Sequence, residues 1–241
     1  MLPLLFVLPA LGVLARTLPD RGNPPLSKST GFRIVARTYD TELMPDLSPP
    51  INNWYFSTAH TGAGFSTAVL SSNASVSRLW YQNGTSLETD NDGITKVLTD
   101  GGTPPSPYGI SLVRSDAPDY PSEHRVDVNA GPGDPMWVET NNRYGWPTLM
   151  AAGDDWGGKW VACNRKIKYY ESQDWTFVVI RYMYDGEQPL GPEVGCTQVD
   201  LVVQCAVLND LPAGSYSNHD HAAEVDCAVD ASALVREEGP N

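Results

Sequence analysis

Three segments in the third quarter of the chain decide its fold class: GDDWGGKWVACN at 153–164, WTFVVIRYMY at 175–184 and GCTQVDLVVQC at 195–205. Each contains a run of β-branched and aromatic residues, which is typical of a strand. The second run is apolar on both faces, which predicts a strand in the middle of a sheet or between layers. The third alternates Val199, Leu201 and Val203 with polar residues, which predicts a strand with one solvated face. These segments therefore predict the centre of an all-β protein.

The composition of the rest of the chain supports this class. Glycine and proline contribute 21 and 20 of the 241 residues, and only 19% of residues are charged. Such a chain favours many turns and short strands over helical bundles. About ten short strands with turn-rich connections predict an antiparallel β-sandwich or barrel, two arrangements that the pattern does not distinguish. The sequence has no internal repeat or linker, so we expect a single all-β domain over residues 32–208.

The two ends of the chain differ from this domain. Residues 1–15 are almost wholly apolar and uncharged, and they are shorter than the roughly 20 residues of a membrane-spanning helix. They fit a secretory signal peptide, so we expect a secreted, extracellular protein. Residues 16–31 contain three prolines and no apolar period, which predicts a flexible leader. Residues 209–241 form an acidic extension tied by Cys227, which we expect to be irregular or to hold a short helix at 222–235.

The net charge limits the partners of the protein. Sixteen basic and 29 acidic residues give −13 at neutral pH, which disfavours nucleic acid and anionic membrane surfaces. We expect neither nucleic acid nor membrane as a partner, and no cofactor. We expect the partner to be a polysaccharide or a surface protein. We expect the protein itself to be a monomer.

The four cysteines of a secreted chain predict two disulfides. Cys196 and Cys205 lie nine residues apart in one predicted strand. Such a span is about 30 Å, whereas a disulfide requires Cα atoms within about 7 Å. These two cysteines therefore do not pair with each other. Two connectivities remain open: Cys163–Cys196 with Cys205–Cys227, which we prefer, or Cys163–Cys205 with Cys196–Cys227.

Two N-glycosylation sequons occur in the first half of the chain, at Asn73-Ala-Ser75 and Asn83-Gly-Thr85. In a secreted protein, Asn73 and Asn83 are candidate glycan acceptors. If they are used, we expect both to lie on solvent-facing loops.

The loop at 153–158 is a candidate ligand site. Trp146, Trp156 and Trp160 offer stacking faces, and Asp154 and Asp155 can accept hydrogen bonds from hydroxyl groups. This combination suggests a sugar-binding edge, although an acidic solvated loop beside core tryptophans has the same composition. Adjacent carboxylates on a strand point to opposite faces, so the pair does not suit the two-sided attack of a glycosidase.

The sequence gives little support for metal binding or for catalysis. His219 and His221 form a His-x-His pattern with Glu224 and Asp226 nearby, but a closed metal site needs more ligands in defined positions. We interpret this segment as an exposed polar loop and predict no metal site. The chain has no G-x-S-x-G nucleophile motif, and we predict no catalytic residues.

Five short blocks suggest a family. They are WYFSTAHTGAGFSTAVL at 54–70, VNAGPGDP at 128–135, GWPTL at 145–149, GGKWVAC at 157–163 and GCTQVDLVVQC at 195–205. Their order and spacing resemble a group of small secreted proteins of filamentous fungi that share an all-β domain of unknown function. The resemblance spans about residues 32–205. It implies a secreted all-β domain and a bridge from Cys163 to Cys196, and it brings no catalytic residues.

These observations lead to one function and one alternative. We expect a secreted, non-enzymatic β-domain protein that acts at a cell wall, a cell surface or a host interface. The alternative is a secreted carbohydrate-active enzyme or carbohydrate-binding protein that uses Asp154, Asp155 and Trp156.

Overall fold

The computed structural model describes residues 25–38, 47, 50–85, 87–88, 95–114, 124–140, 145–151, 158–169, 173–184 and 195–234. Strands dominate these residues, which confirms the all-β class. In chain order the strands are β1 (Leu26–Ser29), β2 (Gly31–Thr38), β3 (Tyr55–Gly62), β4 (Phe65–Ser71), β5 (Trp80–Asn83), β6 (Lys96–Gly101), β7 (Ser106–Val113), β8 (His124–Ala130), β9 (Met136–Glu139), β10 (Thr148–Ala151), β11 (Lys159–Tyr169), β12 (Gln173–Met183), β13 (Cys196–Ala206), β14 (Ala222–Ala223) and β15 (Val225–Ala228). Short 3-10 turns lie at Ala74–Val76 and Ala231–Ala233.

All of these strands belong to one sheet that closes on itself. β13 pairs with β2, β2 with β3, β3 with β4, β4 with β12, β12 with β11, and β11 again with β13. Closure depends on the length of β13, because its residues 196–198 pair with β11 while residues 199–206 pair with β2. The sheet is thus continuous, with antiparallel neighbours except where β13 and β15 run parallel.

The interior is filled by alternate residues of the strands. Phe32 and Ile34 of β2 and Leu201 of β13 are completely buried in the main core. The ring of Phe56 meets that of Trp80 edge to face, with centroids 5.1 Å apart. Burying such rings removes a large apolar area from water and is the main stabilising term of the fold.

The second face of β13 is also covered, which corrects the prediction of a solvated face. Val202 is fully buried in a smaller cluster with Val35, Trp146 and Leu234. The alternation of residues 196–205 was right for the side chains of the inner face. It was wrong for the outer face because distant parts of the chain fold over it.

The C-terminal extension forms part of the sheet. β14 pairs with β5, and β15 pairs with both β1 and β13. The short helix considered for residues 222–235 is therefore wrong for the described residues. Its apolar spacing was weak, and the ladder hydrogen bonds to β1 and β13 are available only once those strands are in place.

The predicted flexible leader must also be shortened. Leu26–Ser29 forms strand β1, and Gly31 begins β2. β1 has little apolar character, and its order comes from pairing with β15. The predicted signal peptide at 1–15 lies outside the described residues.

Both preferred disulfides are present. Cys163 is bonded to Cys196 and Cys205 to Cys227, with Cα atoms 4.0 and 5.0 Å apart. Cys163 and Cys196 lie directly opposite each other in the β11–β13 ladder. Cys196 and Cys205 lie on the same long strand, as predicted, and each serves a different bridge.

A polar groove as the candidate functional site

The tryptophans proposed as sugar-stacking faces are mostly core residues. Trp146 and Trp160 keep only 3% and 6% of their surface exposed. The Trp160 Nε1 donates a hydrogen bond of 2.9 Å to the carbonyl of Leu149. Neither ring is therefore available to a sugar, and Trp146 is corrected to a core residue. The other predicted ligand residues, Asp154, Asp155 and Trp156, lie outside the described residues.

The His-x-His segment has a different role from metal binding. The His219 Nε2 lies 2.9 Å from the Oδ2 of Asp100, and its ring contacts Tyr81 edge to face at 4.7 Å. Because a carboxylate only accepts hydrogen bonds, Nε2 carries the proton and donates it. At His221, the main-chain carbonyl accepts a hydrogen bond from the amide of Gly84. Within the described ranges, no group of three or more His, Cys, Asp or Glu side chains could hold a metal ion.

The sheet positions the two partners of His219. Asp100 lies near the end of β6, and Tyr81 lies on β5, which pairs with β6. The hydroxyl of Tyr81 points at the Oδ1 of Asp100 across a long 3.5 Å contact. Burial, followed by the negative charge of Asp100, raises the pKa of Tyr81 well above its ordinary value of 10.0. The phenol therefore stays protonated and remains a donor.

Arg78 forms the other side of this cluster. Its Nε and Nη2 donate to the Oγ1 of Thr58 at 3.1 and 3.0 Å, and its Nη1 donates to the carbonyl of Asp100 at 3.0 Å. Burial lowers the pKa of Arg78, while Tyr108 and Asp100 oppose this shift. The guanidinium is thus held against the sheet by two strands, and its planar fork is mostly occupied by protein acceptors.

Three surface depressions lie beside these residues, and together we call them the polar groove. Its first section, about 510 Å³, is lined by the segment that carries His219 and by Asn209. Asn209 also lines the second section, about 340 Å³, together with Asp100 and Arg78. Arg78 in turn lines the third section, about 420 Å³, which ends at Phe177. Neighbouring sections share Asn209 and Arg78 as lining residues, so the three sections lie next to one another.

Local sequence patterns do not predict most of the residues that line the polar groove. The sequence predicts the segment with His219 to be an exposed polar loop, and no sequence pattern singles out Asp100, Arg78 or Asn209. Asp100 and His219 are 119 positions apart, so no local pattern links them. The only local signal was the polar character of residues 209–221, which interrupts the strand pattern.

The two sequons lie in different surroundings. Asn73 is exposed, and its Oδ1 accepts hydrogen bonds from the amide and hydroxyl of Ser75. Asn83 is half-buried in β5, where its backbone pairs with Lys96 on one side and with Ala222 on the other. The expectation of a loop is therefore confirmed for Asn73 and wrong for Asn83. Whether either residue carries a glycan remains a prediction.

Comparison with known proteins places the chain in a family. The model of a domain of unknown function, DUF7907, matches residues 29–205. The chain is also 33% identical to "Antigenic protein SchS34" of the fungus Stachybotrys chartarum over 214 residues, which cover 88% of this chain and 91% of that protein. No solved structure matches. No helix of the described segments is long and apolar enough to cross a membrane. The resemblance found in the short sequence blocks is thereby confirmed: the chain belongs to the DUF7907 family, a fungal family whose domain is uncharacterised.

Proposed function

We propose that the protein is secreted and acts outside the cell by binding, without catalysis, at a cell wall, a cell surface or a host interface. The observation that carries this proposal is that all four cysteines are joined in two disulfides. Disulfides persist in oxidising compartments and are rare in the cytosol. The apolar segment at 1–15 supports the same destination.

The groove geometry supports binding over chemistry. Three of its ionisable residues already make protein contacts: His219 with Asp100, and Arg78 with Thr58 and the Asp100 carbonyl. These contacts join the segment around His219 to β6 and hold the groove in a defined shape. The name of the relative describes that protein as antigenic, which is consistent with exposure outside the cell.

The alternative, a carbohydrate-active enzyme using Asp154, Asp155 and Trp156, has lost the support of Trp146 and Trp160, since both are buried. Its direct test is the release of reducing sugar from soluble and insoluble glucans. We expect no release above background. Release that disappears in the variant Asp154→Asn, Asp155→Asn would contradict a non-catalytic role.

Secretion is tested by expressing the full chain in a filamentous fungus and comparing medium with lysate. We expect the protein in the medium, beginning at Arg16, with peptides linked as Cys163–Cys196 and Cys205–Cys227. The matched control lacks residues 2–15 and should stay in the cell. Retention of the full chain as a reduced intracellular protein would overturn the proposal.

A further inference from the structure

The β11–β12 hairpin extends beyond the strands that flank it. The two strands pair over their full length, from Lys159 opposite Met183 to Tyr169 opposite Gln173. However, β13 pairs with β11 only as far as Cys163, and β4 meets β12 only at Val179. Residues 165–169 and 173–178 therefore form a two-stranded ribbon with no further strand on either edge among the described residues.

One face of this ribbon carries aromatic side chains, and we call it the aromatic face. The pairing of Arg165 with Phe177, Ile167 with Trp175 and Tyr169 with Gln173 places these residues on the same side. The ring of Tyr169 lies 6.2 Å from that of Trp175 and 6.0 Å from that of Phe177. Trp175 keeps 48% of its surface exposed. Tyr169 and Phe177 are partly buried and support this exposed ring, and an exposed ring on such an apolar base often marks an interaction surface.

The aromatic face continues the polar groove. Phe177 belongs to the ring cluster and also lines the third section of the groove, together with Val76 and Arg78. A ligand that spans the three sections from His219 would therefore meet Asn209, then Arg78, then the rings of the ribbon. We propose that the polar groove and the aromatic face form one binding surface for an extended, neutral polysaccharide chain. This inference rests on the proposed extracellular binding function and names its ligand class.

The chemistry of the surface fits such a ligand. Sugar rings present C–H faces that pack on aromatic rings, and hydroxyl groups that need both donors and acceptors. The exposed ring of Trp175 supplies the first, and the exposed amide side chains of Asn209 and Asn218 supply the second. The three sections follow one another across the surface, which suits a chain rather than a compact molecule.

Charge argues against an anionic polymer. The protein carries a net charge of −13, which repels polyanions at long range. The cation inside the groove, Arg78, is engaged with Thr58 and the Asp100 carbonyl, so it is poorly placed for the bidentate capture of a phosphate or carboxylate. A protein partner would favour an apolar centre, whereas the first two sections of this groove are lined mainly by glycines and by residues with hydroxyl, amide or ionisable side chains.

The test uses the full secreted protein with three neutral insoluble probes: chitin, cellulose and β-1,3-glucan. We expect depletion from solution by at least one probe, competed by the soluble oligosaccharide of the same linkage. Trp175→Ala should weaken binding about five- to tenfold, since one aromatic contact contributes about 1 kcal/mol. Asn209→Ala should also weaken binding, because it removes a hydrogen-bonding amide from the first two sections of the groove. Phe65→Ala removes an exposed ring outside this surface, 58% exposed, and should bind as the wild type does.

Three outcomes would overturn the inference. One is that folded, secreted, disulfide-bonded protein binds none of the probes; this leaves the extracellular location intact. Another is binding that neither Trp175→Ala nor Asn209→Ala weakens, while both variants keep the wild-type melting temperature. The last is depletion by a probe that its soluble oligosaccharide does not compete, which would show that the sugar chain is not the ligand. Retention inside the cell would instead count against the proposed function, since binding can still be measured on purified protein.

Discussion

Gly109 lies on β7 and allows the turn that follows β8 to pack directly against β7. A Cβ at this position would lie 2.3 Å from the carbonyl carbon of Pro132. On the other side of the contact, Gly133 has a φ of +69°, and its Cβ would lie 2.4 Å from the carbonyl oxygen of Ile110. Two backbones meet here without an intervening side chain, so the glycines of the turn at 130–135 serve packing as well as chain reversal.

Gly109→Ala is therefore expected to destabilise the protein. The atoms that the new methyl group meets belong to backbone, which cannot move aside cheaply, so we expect a loss of about 1–3 kcal/mol in the free energy of unfolding. Urea denaturation measures it. The neighbouring variant Ser111→Ala adds no atoms and should cost less than about 0.5 kcal/mol. Equal stability of the two variants would contradict the close approach.

The sequons provide a second prediction for single residues. Asn73 projects into solvent with its Oδ1 bonded to Ser75, which leaves the Nδ2 free to carry a glycan. Asn83 is held in a strand between β6 and β14. We expect glycopeptide mass spectrometry of the secreted protein to find the glycan on Asn73. The mass should fall in Asn73→Gln and stay unchanged in Asn83→Gln; the reverse pattern would contradict this prediction.

Among the elements, the C-terminal turn shows how a distant segment is held on the sheet. Arg37 of β2 donates through its Nη2 to the carbonyl of Leu234 at 2.7 Å. Asp230 caps the 3-10 turn at Ala231–Ala233, since its Oδ1 accepts from the hydroxyl and the amide of Ser232 at 2.7 and 2.9 Å. The side chain of Leu234 then covers the outer face of β13 with Val202.

The Asp230 cap makes this turn sensitive to acid. The hydrogen bonds from Ser232 hold the pKa of Asp230 below its ordinary value of 3.8. A carboxyl group whose pKa is lowered by folding stabilises the fold above the unfolded pKa, and this contribution is lost as the pH falls through the folded pKa. Asp230→Asn keeps the acceptor oxygen but cannot titrate. The stability advantage of the wild type over Asp230→Asn should therefore be present near neutral pH and vanish in acid.

Urea denaturation of both proteins at about pH 6 and about pH 2.5 measures this difference, and comparing the two proteins at each pH cancels the titration of all other groups. The same difference at both values would show that the charge of Asp230 does not contribute to the cap.

At the scale of the whole molecule, β13 is the strand that closes the sheet. It pairs with β2, β10, β11 and β15, and each of its ends carries a disulfide. The Cys163–Cys196 bridge fixes the base of the two-stranded ribbon of residues 165–169 and 173–178, and the Cys205–Cys227 bridge fixes β15 and its partner β1. The disulfides therefore stabilise both ends of one strand that holds distant segments together.

Removing either bridge should destabilise the fold by about 2–4 kcal/mol. The bridges close loops of 33 and 22 residues, and this difference changes the loop entropy by less than about 0.5 kcal/mol. We therefore expect similar losses for Cys163→Ala, Cys196→Ala and for Cys205→Ala, Cys227→Ala. Hydrogen exchange should differ: the first double variant loosens the ribbon and the second loosens β1 and β15. Losses below about 1 kcal/mol for both would contradict a stabilising role.

Local patterns of the sequence alone determined the all-β class, the strand over residues 196–205 and the rule that Cys196 and Cys205 do not pair. These features depend on the period of side chains and on distances along one strand, which neighbouring residues set. Only the tertiary structure decided that Trp146 is a core residue, that residues 222–228 form strands, and that Asp100 meets His219. These outcomes depend on hydrogen bonds and burial between segments up to two hundred residues apart, as in the pairing of Ser27 with Cys227. The local pattern of residues does not reveal such contacts, because their free energy is gained only when the closed sheet brings the distant partners together.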